Sequence, residues 1–450
     1  MLPASCRQKP LPLPKAEICR HDAGSTKTMT YPEAIQWLYD LRLFGAKLGL
    51  ENPRRLAALA GNPPDRLRIL HVAGTNGKGS VCAMLESICR HAGMKTGLFT
   101  SPHLVSFRER IQVNRQLIPE PDLARLANEM REFLTDCPLE IHPTFFEVVT
   151  VLALKHFADS ECDFVLLETG LGGRLDATNI VTPAAAILTP IALDHQQWLG
   201  DTLPEIAAEK AGIIKPHVPV ISAPQDEEAR LVIEQAATAQ DAPLTFANPA
   251  GHFKTPLAGK HQEQNAALAA TTARSLGIDD ATIRDGLASV RWPARAQWHH
   301  EGGRRILLDA AHNPASMRAL VDILKTDPAA QRPAVLLSMS GEKNWREMCR
   351  LIAPLAARVV AVPTSSQKSQ LPEIIADTCG EFCEAEAASS VADGLERLAK
   401  EPLVVVAGSI YLVGEVMERL NVSPQPETDE RGLNEWKMDD NVLPASCRQN

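Results

Sequence analysis

The chain has 450 residues, a formal net charge of −9, 45% hydrophobic residues and 22% charged residues. That length exceeds one ordinary core, so two or three domains of a soluble globular class are expected. The acidic balance argues against a surface that wraps nucleic acid, and no apolar run is long enough to span a bilayer. Ten scattered cysteines without a CxxC pair point to reduced thiols rather than disulfides or zinc. Pro10, Pro12 and Pro14 stand where a signal peptide would carry its apolar core, so a cytoplasmic location is expected.

The segment Leu-Pro-Ala-Ser-Cys-Arg-Gln occurs at Leu2–Gln8 and again at Leu443–Gln449. Two copies are too few for a repeat architecture. Residues 1–28 and the polar, acidic residues 423–450 are expected to be disordered tails or sequence outside the native fold, which starts near Met29. Apolar Arg68–Val72 predicts a buried strand, and Val81, Met84, Leu85 and Ile88 repeat at helical spacing over Ser80–Gly93. Between them runs Gly74-Thr75-Asn76-Gly77-Lys78-Gly79-Ser80. Its glycines let the backbone curl around an anion, and the following helix start adds N–H groups and a positive dipole end. Lys78 adds a point charge for terminal phosphate oxygens. The loop is a compact form of the phosphate-binding pattern, with fewer residues than usual before the Gly-Lys pair. Strand before and helix after favour nucleotide binding over a plain glycine turn.

Further strand ends carry candidate chemistry. Thr100-Ser101-Pro102-His103 follows apolar Gly97–Phe99; Ser101 either offers a hydroxyl to magnesium or sits in an ordinary Ser-Pro turn. Glu168 closes the Asp163–Glu168 strand, placed either to hold Mg²⁺ against a nucleotide or to cap the next helix. Thr169–Asn179 holds too many glycines for a regular element and reads as a functional loop. Asp194-His195 follows the Ala184–Thr189 strand; a lone histidine is more often structural, but this one shares the layer of Glu168. Spacing alone makes Lys210 a solvated helix lysine. Another strand is expected at Val218–Ala223, and Pro293 with His299–Arg305 reads as a linker.

A second alternating block follows, with strands at Arg305–Leu308, Ala334–Ser338, Arg358–Pro363 and Leu403–Ala407 and helices at Pro314–Leu324 and from Trp345. The fold class is therefore α/β: a P-loop parallel-sheet ATP-binding domain over 29–297, then a smaller Rossmann-like α/β domain over 298–422. Asp309-Ala310-Ala311-His312-Asn313-Pro314 ends a strand and opens a helix; it either binds substrate or serves only as a cap at Asn313. Ser409, after the last strand, has the same two readings.

Together these motifs resemble the bifunctional dihydrofolate synthase/folylpolyglutamate synthase family, within the Mur-ligase-like group. The resemblance spans about Tyr31 to Leu420. It rests on Gly74–Ser80, Ser101–Leu104, Glu168–Asn179, Ala192–His195, Glu209–Ile213, Gly259–Gln262 with Asn265, Trp292–Arg295, Asp309–Pro314 and Gly408–Glu415. It implies an ATP-dependent ligase that joins L-glutamate to 7,8-dihydropteroate and extends tetrahydrofolate, acting as a monomer without nucleic-acid or membrane partners. Carried over by position, Gly74, Thr75, Asn76, Gly77, Lys78, Gly79 and Ser80 would hold ATP phosphates, with Asn265, Arg295 and Asp309 gripping the nucleotide. Ser101, Glu168 and His195 would bind magnesium. Lys210 resembles a carbamylated lysine serving a second magnesium, and K⁺ is a further cofactor admitted by the resemblance. Lys78, Lys210 and His312 would be catalytic, His312 and Ser409 would position glutamate, and Thr144, Phe146, Asp176 and Ala177 would form the dihydropteroate site. Ala294 and Ala310 depart from the glycine common at those positions, and Gly45–Leu48 matches the N-terminal pterin contact poorly.

Two rivals are distinguishable. A Mur ligase of cell-wall synthesis would need a further N-terminal domain, for which the 73 residues before Gly74 leave no room. An ATP-driven switch would hydrolyse ATP without depending on an acceptor.

Overall fold

The computed structural model describes residues 28–42, 49–136, 142–248, 253–327 and 332–435. The paired segments Leu2–Gln8 and Leu443–Gln449, and the doubtful contact at Gly45–Leu48, lie outside the described residues.

The first sheet contains β1 (Ile69–Ala73), β2 (Thr96–Phe99), β3 (Ile111–Val113), β4 (Gln116–Leu117), β5 (Phe164–Glu168), β6 (Ala185–Leu188), β7 (Val220–Ser222) and β8 (Leu244–Phe246). Their order is β4-β3-β2-β5-β1-β6-β7-β8. All neighbours are parallel except β2–β3 and β3–β4, which are antiparallel. β1, β5 and β6 are buried at every residue, the continuous apolar pattern of strands covered on both faces. Successive side chains serve opposite layers. Val165 and Leu167 join Val149 and Phe157 of the Phe145–Asp159 helix, whereas Leu166 joins Met84 and Leu85 of the Lys78–His91 helix.

The second sheet contains β9 (Gln297–Glu301), β10 (Arg304–Leu308), β11 (Ala334–Leu337), β12 (Arg358–Ala361), β13 (Glu384–Ala387) and β14 (Leu403–Ala407), ordered β13-β12-β11-β14-β10-β9. Here too Leu307 and Val405 serve one layer, Ile306 and Val404 the other.

Two expectations need correction. The supposed linker at His299–Arg305 is a hairpin: β9 pairs antiparallel with β10, and Gly302 and Gly303 turn between them at φ 55° and 85°. The strand is polar because it is a half-exposed edge. The supposed tail, over its described part 423–435, packs back on the first sheet's body. Glu430 is 0% exposed and accepts from Tyr31 Oη (2.5 Å), Ser106 Oγ (2.9 Å) and Phe107 N (2.6 Å). Leu433 joins the core beside Leu38 and Phe107.

Candidate active site

Strand order places the site. β5 and β6 flank β1, so the chain reverses direction of growth there, and ligands of open α/β sheets bind beyond such carboxyl ends. Gly74 follows β1 at φ 147°, and a Cβ on it would lie 1.8 Å from Thr189 Oγ1. At Gly77 φ is 90°, and a Cβ would lie 2.6 Å from Asn265 Oδ1. No side chain larger than hydrogen fits either place. Thr75 and Asn76 donate their N–H groups to Pro190 O (3.0 and 3.3 Å), tying the loop to the segment after β6. The Lys78–His91 helix then starts with no side-chain cap. Lys78 Nζ folds back to Gly74 O and Thr75 O (3.2 Å each), while Lys210 Nζ reaches Gly74 O at 2.8 Å.

Around this loop lie the other strand ends. Glu168, the last residue of β5, accepts the Ser101 N–H on Oε2 (3.1 Å). Burial raises its carboxyl pKa, against the pull of Lys78, Arg295 and Arg110. Burial lowers Lys210 to about 7, assisted by Lys78. His195 adopts the left-handed region (φ 52°), and burial followed by the Lys343 charge lowers its pKa to about 3. Lys343 Nζ stands 3.2 Å from His195 Nε2 and 2.5 Å from Asp194 Oδ1. Burial would raise the Asp194 carboxyl, but the His195 ring, the Lys343 ammonium and the His312 ring outweigh it and hold it well below the usual range.

The second sheet faces this layer. Asp309 follows β10 and accepts from Ala296 N (2.8 Å) and Ala311 N (2.9 Å); burial raises its pKa against the pull of Arg295. Asn313 caps the Pro314–Thr326 helix through Ser316 N (2.8 Å). Its Nδ2 also crosses to Asn76 Oδ1 (3.0 Å) and Asp194 Oδ2 (3.1 Å), so the cap reading and a role in the site both hold. His312 Nδ1 lies 2.9 Å from Ala310 O, and burial, then Lys343, lowers its pKa to about 4. Because the carbonyl only accepts, Nδ1 carries the proton and Nε2 keeps its lone pair.

Two cavities share this ground. One, of about 600 Å³, is lined by Gly74–Ser80, Ser101, Glu168, His195, Lys210, Asn265, Arg295, Asp309 and His312. The other, of about 320 Å³, is lined by Thr144, Phe146, Asp176, Ala177, His312 and Ser409. They meet at Ser101, His195 and His312, which line both. Thr144 caps the Phe145–Asp159 helix, and the Phe146 ring lies 6.0 Å from that of Phe99. Asp176 is committed to its own loop: Oδ2 accepts from Gly170 N (2.9 Å) and Leu171 N (2.8 Å), Oδ1 from Thr178 N (3.0 Å) and Thr178 Oγ1 (2.5 Å). Ser409 caps the Ile410–Arg419 helix.

Lys343, Arg110 and Asn434 are among the lining residues that escaped the sequence reading. Lys343 could have been found, since it follows the end of β11. Arg110 lies in a short turn without strong periodicity, and Asn434 reaches the cavity only through long-range packing.

Among the described residues no group of three His, Cys, Asp or Glu side chains is disposed to hold a metal ion. The oxygens at hand still suit a hard cation: neither Glu168 Oε1 nor the Ser101 hydroxyl makes a hydrogen bond within the described residues. His195 Nε2 instead faces the Lys343 ammonium.

The architecture and the loop are Mur-ligase-like. The Mur ligase middle domain model matches residues 72–248, and the Mur ligase glutamate ligase domain model matches 294–410. The dihydrofolate synthase/folylpolyglutamate synthase of Bacillus subtilis (strain 168) is 33% identical over 87% of this chain and 99% of that protein. The one from Escherichia coli (strain K12) is 34% identical over 85% of this chain and 94% of that protein. The solved structure of E. coli FolC in complex with DHPP and ADP superposes with a TM-score of 0.79 at 32% identity, covering 88% of this chain and 99% of that one. Folylpolyglutamate synthase from Thermotoga maritima gives 0.78 at 31% identity, covering 89% and 98%. The chain belongs to the dihydrofolate synthase/folylpolyglutamate synthase family.

Proposed function

We propose that the chain joins L-glutamate to 7,8-dihydropteroate, and adds glutamate to tetrahydrofolate, at the expense of ATP. One observation carries this reading: a phosphate-loop cavity and an aromatic-walled cavity meet at Ser101, His195 and His312. Residues 29–297 would bind ATP and residues 298–422 would supply the glutamate-ligase half. A carboxylate does not acylate an amine at neutral pH, so it must first be activated. Its oxygen attacks the γ-phosphorus, the γ–β bridging bond breaks, and ADP leaves an acyl phosphate. Lys78, released from Gly74 O and Thr75 O, neutralises charge on the transferring oxygens. Gly74–Ser80 cradle the phosphates, while Asn265, Arg295 and Asp309 hold the rest of the nucleotide.

Ser101, Glu168 and His195 would hold one magnesium ion and a carbamylated Lys210 a second, supplying charge neutralisation on the phosphates; K⁺ is the remaining candidate. Carbamylation requires a neutral amine, which a Lys210 pKa of about 7 supports. The glutamate, positioned by His312 and Ser409, then attacks the acyl carbon and phosphate departs. The glutamate must present its amine unprotonated, and His312 Nε2, whose lone pair is free because Nδ1 donates to Ala310 O, would accept a hydrogen bond from that amine. Dihydropteroate would lie along Thr144, Phe146, Asp176 and Ala177.

We infer a cytoplasmic monomer; no helix among the described residues is long and apolar enough to cross a membrane. The test is phosphate release measured with and without dihydropteroate plus glutamate. Release that depends on both supports the ligase, and acceptor-independent hydrolysis rejects it in favour of an ATP-driven switch.

A further inference from the structure

Arg110 is the unexplained charge of the smaller cavity. It lines that cavity yet is only 3% exposed, and among the described residues no carboxylate lies within ion-pair distance of it. Buried charges are normally paired, because desolvating an ion without a counter-charge costs several kcal/mol. Glu109 and Glu168 attract it only from beyond ion-pair distance, and Glu168 already takes the Ser101 N–H; the other carboxylates of this region are likewise committed. Glu109 accepts from Leu104 N, Val105 N and Ser106 N (2.8–2.9 Å), and Glu430 from Tyr31, Ser106 and Phe107.

Two neutral groups hold the guanidinium in place. Its Nε donates to His103 Nδ1 (2.8 Å) and its Nη2 to Asn434 Oδ1 (2.7 Å). His103 can accept there because its Nε2 proton goes to Glu430 O (2.9 Å). Asn434 is itself locked by donating to His103 O (2.9 Å). The guanidinium also lies over the Phe145 ring, 5.5 Å from its centroid. Nη1 has no hydrogen-bond partner among the described residues. The clamp fixes direction without cancelling charge, so among the described residues no counter-ion sits against the guanidinium.

We propose that Arg110, oriented by His103 and Asn434, receives the non-reacting α-carboxylate of a pteroylglutamate acceptor. The assignment rests on the ligase reading above and deepens it. A pteroylglutamate brings two carboxylates: the γ-carboxylate is consumed where the cavities meet, and the α-carboxylate stays behind in the acceptor cavity. Dihydropteroate brings only the reacting one. Arg110 is thus a specificity-determining residue for chain extension over the first ligation.

The test begins on the wild-type protein. Tetrahydrofolate is compared with its α-carboxamide, which keeps the γ-carboxylate but loses the charge Arg110 would meet. The α-carboxamide is expected to be at least tenfold poorer in kcat/KM. In Arg110→Gln the two acceptors should converge to within about twofold, and the ratio of tetrahydrofolate to dihydropteroate kcat/KM should fall at least tenfold. Asn434→Ala, which unclamps Arg110 but leaves its charge, should reduce that ratio less. Equal use of the two acceptors by the wild-type protein overturns the assignment. So does an equal loss with both natural acceptors in Arg110→Gln, or a change confined to the KM for L-glutamate. Calorimetric titration of the same pair with ADP present separates the two levels. Discrimination without turnover rejects the ligase reading and keeps Arg110, whereas turnover without discrimination does the reverse.

Discussion

Replacing Asp176 by asparagine separates a ligand from a scaffold. The carboxylate is 5% exposed and takes four hydrogen bonds from Gly170, Leu171 and Thr178. In Asp176→Asn the least costly orientation points the amide oxygen at the Gly170 and Leu171 N–H groups. The Thr178 hydroxyl then turns to accept from the amide nitrogen, leaving the Thr178 N–H without an acceptor. One orphaned buried donor costs about 1–3 kcal/mol, and three charge-assisted bonds become weaker neutral ones. The sum is about 2–4 kcal/mol, a sizeable part of an ordinary stability of about 5–15 kcal/mol. Urea unfolding should show that loss. Because Asp176 lines only the acceptor cavity, the KM for dihydropteroate should rise more than the KM for ATP. Wild-type stability together with a raised dihydropteroate KM would refute the scaffold argument, since the carboxylate would then act on the ligand directly.

Lys78→Ala should abolish both ligations, with at least a hundredfold loss in kcat; wild-type turnover would remove its phosphate role. Buried His71 has its pKa lowered to about 3 by burial, then by Lys215, so the unfolded chain binds a proton below about pH 6.5 that the folded one refuses. Its contribution is intact above that pH and lost as pH falls toward 3. Between pH 7 and 5 the loss is about 2 kcal/mol, so His71→Leu should show a pH dependence of unfolding shallower by that amount; an unchanged slope would contradict it. Tyr31→Phe should cost about 1–3 kcal/mol in urea unfolding by leaving Glu430 short of a donor. No loss would mean that 423–435 is not held by that contact.

What was legible follows from how local each signal is. The β1 strand, the Gly74–Ser80 loop and its helix lie within one stretch and announce one another. The helix starts at Lys78 rather than Ser80 because the glycine turn at Gly77 ends sooner than its apolar stripe suggests. Buried strands such as β5, β6 and β14 are short apolar runs and were placed to within about two residues. The β9–β10 hairpin was missed because Gln-Trp-His-His-Glu is a polar edge, although Gly302-Gly303 is a hairpin signal that could have revealed it. The segment 423–435 has no periodicity; Glu430 gains its meaning only from Tyr31, Ser106 and Phe107, which lie 399, 324 and 323 residues away. Lys210 reads as a solvated helix lysine until tertiary structure buries it against Gly74. Ala294 sits at φ 54°, a left-handed conformation that glycine adopts without strain.

The central claim is that the acceptor carboxylate is phosphorylated before glutamate attacks. Dihydropteroate carrying ¹⁸O in its carboxylate tests it directly, with ATP, magnesium and glutamate supplied. An acyl phosphate must pass one labelled oxygen to the released phosphate, which mass spectrometry would detect at one label per turnover. Unlabelled phosphate alongside new dihydrofolate would contradict the account.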